Sequence, residues 1–233
     1  ATSDALTNNG TISVTTTGAE IPPAIPGTGS VDTSAVASEA GIDGSFDTST
    51  TFTKNQIITV TGDVTLVKGT VFIIEGKLII PEGMTLTIED GAQLVLRGAV
   101  ASLENNGAMI IESRTSTMSY SGEMSGFYVT SGAEVTNNGS IVLSYTVPDT
   151  DAAVYHNYSM GVASKFTNNG TITVEEDAYL WINSTDVKNG SDGVLNIEGR
   201  LYASSLQNDG TVSINGELYS NLNLSLIHIS EPT

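Results

Sequence analysis

One nine-residue pattern recurs five times in this chain: LTNNGTISV at Leu6–Val14, then LENNGAMII, VTNNGSIVL, FTNNGTITV and LQNDGTVSI. Aligned on Gly10, Gly107, Gly139, Gly170 and Gly210, the copies place Ile12, Met109, Ile141, Ile172 and Val212 two residues after the glycine. Val14, Ile111, Leu143, Val174 and Ile214 follow four residues after it. All are apolar, and the residues between them suit either face of a strand. Alternation with period two after a fixed turn is the pattern of a strand leaving a corner. Asn9, Asn106, Asn138, Asn169 and Asp209 sit directly before the glycines. Asn-Gly and Asp-Gly tolerate the positive φ of a tight turn. The unit reads as strand, corner, strand, with aliphatic side chains pointing inward and the Asn/Asp-Gly pairs as structural corners.

Other segments share this logic with different corners. ITVTGDVTL, VFIIEGKLII, LTIEDGAQLVL and LNIEGRLYA each set a glycine between two runs rich in β-branched residues. Gly62, Gly76, Gly91 and Gly107 follow one another at nearly even intervals. No amphipathic helical run is present. The expected fold is all-β, a single-stranded β-solenoid, in which no coil buries its apolar face alone but stacked coils bury a continuous column. Recurrent Asn at the corners suits hydrogen-bonded ladders. A hairpin meander or sandwich would also use Asn-Gly turns. Sandwich strands, however, have no need to resemble one another, and here a whole nonapeptide recurs.

The stretch Ile57–Leu96, IITVTGDVTLVKGTVFIIEGKLIIPEGMTLTIEDGAQLVL, resembles the opening coils of right-handed β-helix proteins of bacterial and archaeal cell surfaces. With the NNG coils that follow, it is similar to adhesins and surface-layer proteins of that fold, over about Ile57 to Tyr219. The resemblance implies a right-handed β-helix. It speaks to architecture more than to activity, since pectin lyases, phage tailspikes, adhesins and ice-binding proteins share such stacks. Leu224–Thr233, LSLIHISEPT, resembles the translated read-through of a transposase-type sequencing adapter, and no function is read from it.

The expected organisation is an N-terminal strand arm at 1–14, a Thr/Ser/Gly/Pro-rich linker or wrapping segment at 15–53, and a solenoid at 54–223. Loop excursions near 113–132 and 144–165 interrupt the solenoid, and 224–233 is a tail outside the pattern. The excursions carry much of the tyrosine and methionine, and such loops often make contacts.

Charge bounds the partners. With 26 acidic against 8 basic residues the net charge is −18, so nucleic acid and anionic membrane surfaces are not expected partners. No apolar run is long enough to insert in a membrane. The absence of cysteine excludes disulfides and thiolate chemistry. The opening ATSDA fits a mature N-terminus left by signal cleavage, hence a secreted, cell-surface protein.

Catalytic signals are thin. The only histidines are His156 and His228, and no nucleophile elbow, zinc helix or phosphate loop occurs. Polysaccharide hydrolysis needs two carboxylates across a cleft. Glu89, Asp90, Glu175, Glu176 and Asp177 qualify by type, but nearly every acidic residue falls at a corner or strand end, where solvated carboxylates are the rule. Lyase chemistry wants a base, and Arg97, Arg114 and Arg200 are the only arginines. No enzymatic activity and no cofactor are expected. Calcium is the one ion that EED at Glu175–Asp177, IED at Ile88–Asp90 and PDTD at Pro148–Asp151 offer oxygens to, without EF-hand or calcium-repeat spacing. Glycosylation sequons occur at Asn9, Asn138, Asn157, Asn169, Asn183 and Asn189, and three of them, Asn9, Asn138 and Asn169, belong to the repeated corner that turn chemistry already explains.

The expected function is a structural subunit of an extracellular filament or surface layer, with itself as partner. A solenoid has two open ends, and an arm strand carrying Leu6, Ile12 and Val14 suits addition to a neighbour's edge. Head-to-tail contacts of that kind build fibres. The alternatives are an adhesin or carbohydrate-binding module contacting glycans or cell-surface components, a polysaccharide-active enzyme, and an arm that caps its own chain.

Overall fold

The computed structural model describes residues 11–13, 30–32, 38–114, 126–130, 132–146 and 160–219. Among them all regular structure is strand. β1 (Thr11–Ser13) and β2 (Ser30–Asp32) form a parallel two-stranded sheet of their own. The remaining strands wind as a stack of coils. The first coil holds β3 (Ser38–Phe46) and β4 (Thr50–Phe52). The second holds β5 (Gln56–Leu66) and β6 (Val71–Ile74).

Six three-stranded coils follow. They are β7 (Lys77–Ile80), β8 (Thr85–Ile88) and β9 (Gln93–Leu96); β10 (Ser102–Asn105), β11 (Ala108–Arg114) and β12 (Gly126–Val129); β13 (Glu134–Asn137), β14 (Ser140–Thr146) and β15 (Met160–Val162). Then come β16 (Lys165–Asn168), β17 (Thr171–Val174) and β18 (Tyr179–Ile182); β19 (Val187–Asn189), β20 (Val194–Ile197) and β21 (Arg200–Ala203); and β22 (Gln207–Asn208), β23 (Thr211–Ile214) and β24 (Glu217–Tyr219).

From β7 onward each strand pairs in parallel with the strand three later in the chain, so strands adjacent in sequence lie on different faces. A meander would pair sequence neighbours antiparallel. Face one runs from β7 to β22, face two from β8 to β23 and face three from β4 to β24. β5 is long enough to cross a corner: Ile57–Thr59 pair on face one and Val64–Leu66 on face two.

Period-two burial makes the core. Residues alternate half-buried and buried along most strands, and the buried ones stack in register. On face three the inward column is Phe72, Leu94, Phe127, Met160, Leu180 and Leu201, each at most 1% exposed. Strands in a sheet lie about 4.8 Å apart, so every inward side chain packs on its counterparts above and below.

Three expectations need correction. The stack begins at Ser38 rather than 54, because β3 and β4 pair with β5 and β6. Their composition looked like linker, yet an end coil covers only one side of the core. Ile42 is buried there, and Phe46 and Phe52 meet Phe72 edge-on at centroid distances of 5.1 and 5.3 Å. β2 also falls in the expected linker. The loop excursions are shorter than expected: β12 and β15 lie inside them and hold register with the coils on both sides. Finally, the even interval from Gly62 through Gly107 is not the length of a coil. One turn of the solenoid carries Phe166 to Val187 and Ser102 to Glu134, longer steps that differ from each other. Gly62 and Gly107 sit at the corner between faces one and two, Gly76 at that between three and one, and Gly91 at that between two and three.

Candidate functional site

The corners hold two asparagine columns. The first asparagine of each NN pair faces inward, because it lies two residues after an inward apolar residue: Leu103–Asn105, Val135–Asn137, Phe166–Asn168, and likewise Val187–Asn189 and Leu206–Asn208. Asn105 Nδ2 donates to Asn137 Oδ1 at 2.7 Å, Asn137 to Asn168 at 2.7 Å, Asn168 to Asn189 at 2.7 Å and Asn189 to Asn208 at 2.8 Å. Each Nδ2 also reaches a backbone carbonyl of the next coil: Ser140 O, Thr171 O, Val194 O and Thr211 O. Those carbonyls fix the amide orientation, since a flipped amide would set oxygen against oxygen. A buried amide left unpaired costs roughly 1–3 kcal/mol, so this column is tolerated only in register. Its lower end shows the point. Asn105 stands over Ile80, and Asn105 Oδ1 is buried without a hydrogen-bond partner.

The residues expected at the corners form the second, outer column. Asn138 Nδ2 donates to Asn106 Oδ1 at 2.8 Å, and Asn169 Nδ2 to Asn138 Oδ1 at 3.0 Å, in the opposite sense to the buried one. Asp209 leaves that column and pairs with Lys188 at 2.8 Å. The glycines are present for a different reason than expected. Gly107, Gly139, Gly170 and Gly210 do not have positive φ. Instead a Cβ on Gly139 would fall on Gly107 O, and one on Gly170 on Gly139 O. The closeness follows from the hydrogen bonding: Asn138 N and Gly139 N both donate to Asn105 O, at 2.7 and 3.0 Å.

The two ends of the stack differ. Phe46 and Phe52 close the N-terminal end over Phe72. At the other end Leu218 continues the inward face-three column above Leu201, yet it is 37% exposed. Among the described residues β22, β23 and β24 each pair on one edge only. Of the arm residues, Leu6, Asn9, Gly10 and Val14 lie outside the described residues. Ile12 lies in β1, which does not stand alone: it pairs in register with Val31 of the same chain.

Outward residues of face three include an apolar column missed in the sequence. Ile73, Val95, Tyr128, Gly161, Trp181, Tyr202 and Tyr219 stand in register. The Trp181 and Tyr202 rings stack at 6.4 Å and 23°. A Cβ on Gly161 would sit 3.2 Å from the Tyr128 ring and 3.6 Å from that of Trp181, so both rings lean over the glycine. Counting outward by twos from the buried residues would have found this column.

The described acidic candidates sit at turns between strands. Asp177 occupies a positive-φ turn position closed by Ala178 N on Glu175 O, a conformation Asp tolerates. Glu89 O likewise accepts from Ala92 N. Arg97 pairs with Glu75 at 2.6 Å and Arg200 with Glu217 at 3.1 Å. Among the described residues no three His, Cys, Asp or Glu side chains are placed to share a metal ion. Asn189, one of the sequons, is buried in the inner column. Asp149, Asp151, His156, Asn157 and His228 lie outside the described residues.

Hydrogen bonds from Lys77 Nζ (2.8 Å) and Asn106 Nδ2 (3.1 Å), with the lysine charge, hold Glu104 below its ordinary carboxylate value. A depressed carboxyl contributes stability above its unfolded pKa and loses it as pH falls through the folded one. Wild type and Glu104→Gln will therefore differ in melting temperature at neutral pH. The difference will shrink on acidification below about pH 4, as read by circular dichroism melts. A difference independent of pH would assign the effect to packing.

Fold and corners together define a parallel, three-faced β-solenoid-like protein. No family model, no curated protein and no solved structure matched the chain. No helix among the described residues is long and apolar enough to cross a membrane.

Proposed function

We propose that this protein is a non-enzymatic structural subunit of an extracellular filament or surface layer, built by adding the N-terminal strand of one copy to the open end of the next. The observation that carries the reading is Leu218: an inward-pattern side chain, aligned over a buried column, yet 37% exposed on the last described coil. Burying such an end, with its unpaired strand edges, stabilises a continuing stack. A right-handed winding accords with the strong preference of parallel crossovers.

Negative-stain microscopy and light scattering test the reading. The full chain will form filaments, and more readily in salt, which screens a charge of −18. Deleting residues 1–14 will leave monomers. Filaments of unchanged abundance after the deletion would rule out strand addition.

The face-three aromatic column favours a second reading, a glycan-binding surface module, because aromatic rings stack on sugar rings through their apolar faces. A glycan array probed with wild type and Trp181→Ala decides it. Binding lost in the variant supports this reading, and no binding by wild type removes it.

A further inference from the structure

We infer that β1 and β2 are a displaced coil step whose partner is the last described coil of a second copy, with β1 seated on β23 in a single register: Thr11 opposite Thr211, Ile12 opposite Val212 and Ser13 opposite Ser213. The inference rests on the end-to-end reading above and specifies its geometry.

Three observations converge. Among the described residues the β1–β2 sheet is separate from the sheets of the stack, and each of its strands is paired on one edge only. The pair also has the winding step of the solenoid. Thr11 pairs in parallel with Ser30, and in the last coils Lys188 pairs in parallel with Gln207, across the same length of chain. β1 thus has β2 on the side where a following coil lies, leaving the side that a preceding coil would occupy. β23 presents the complementary side, since β20 fills its other edge.

The third observation fixes the register. In the sequence Asn8, Gly10, Ile12 and Val14 have the spacing of Asn208, Gly210, Val212 and Ile214. At this corner of the stack each glycine lies over backbone oxygen of the coil below: Gly139 over Gly107 O, Gly170 over Gly139 O, Gly210 over Gly190 O and Gly193 O. The residue above Gly210 must therefore also be glycine, and in the alignment of the repeats the counterpart of Gly210 is Gly10. Sliding β1 by two residues preserves period two but breaks that correspondence. Sliding it by one turns every side chain to the wrong face.

The chain has no cysteine, so an introduced pair reports without background. Facing residues on neighbouring parallel strands have Cα atoms about 4.8 Å apart, within disulfide reach. The full chain carrying Ser13→Cys and Ser213→Cys, oxidised after assembly, will give a ladder of covalent multimers on a non-reducing gel, collapsed by reductant. Ser13→Cys with Thr211→Cys, two residues out of register, will cross-link at least about tenfold less, because its Cα atoms lie beyond about 7 Å. Filaments in which the second pair cross-links better, or neither does, overturn the register and leave end-to-end assembly standing. Cross-links confined to monomers overturn the second copy as partner. Absence of both filaments and cross-links overturns both readings.

Discussion

Replacing Asn168 with Asp will cost roughly 3–5 kcal/mol in denaturant unfolding at neutral pH, the scale of a buried charge left without a counter-charge. The change is nearly isosteric, so packing barely enters. Asn168 Oδ1 accepts from Asn137, a role a carboxylate keeps. The amide also donates to Asn189 Oδ1, Gly170 O and Val194 O, and a carboxylate there faces those oxygens with nothing to give. Protonation restores one donor, so the deficit will narrow as pH falls through the raised carboxyl pKa. Coils touch only their neighbours, so the loss will not be uniform. Hydrogen exchange will show the coils flanking Asn168 deprotected before β7–β9. A loss below about 1 kcal/mol would mean that the buried column is worth no more than an exposed hydrogen bond.

Gly139→Ala will cost about 3 kcal/mol or more, from one added methyl group, at or above the upper end of what overpacking usually costs where side chains can yield. The new Cβ falls on Gly107 O and lies 2.9 Å from Asn106 C, and both are backbone atoms that move only if the coils part. No side chain is available there to give way. Gly44→Ala is the control. Gly44 has φ of +79° and nothing within 4 Å of an added Cβ, so its cost is the left-handed conformation alone, about 1–2 kcal/mol. Equal losses in the two variants, measured by thermal or denaturant unfolding, would count against close approach as the reason for corner glycine.

These two variants also mark what was legible in the sequence. The inward aliphatic positions Met109, Ile141, Ile172 and Val212 could be read from period two alone, and they are buried. The corner glycines were found, but for a reason of φ when the cause is a carbonyl one coil below. That contact joins Gly139 to Gly107, far apart in the chain, and a local motif does not show it. The inner asparagines were missed for a related reason. Period two carried back from the glycine puts Asn105 and Asn137 inward, but a buried amide is acceptable only when the same residue lies above and below it, and that depends on register. The coil containing Asn189 was harder still, since its KNGSDGV corner departs from the NNG pattern. β3 escaped notice because an outermost coil needs only Ile42 and Phe46 to seal one side.

The buried amides also bear on symmetry. Four successive bonds run the same way, from the nitrogen of one coil to the oxygen of the next. The column is a vector, with chemically unlike poles. A dyad placed across either end of the stack would reverse the strand direction at the seam. An isologous end-on dimer is thereby disfavoured, whereas a translation or a screw axis keeps every strand parallel to its neighbour across the junction. A polymer built on these ends has a direction of its own, and its two tips grow at different rates.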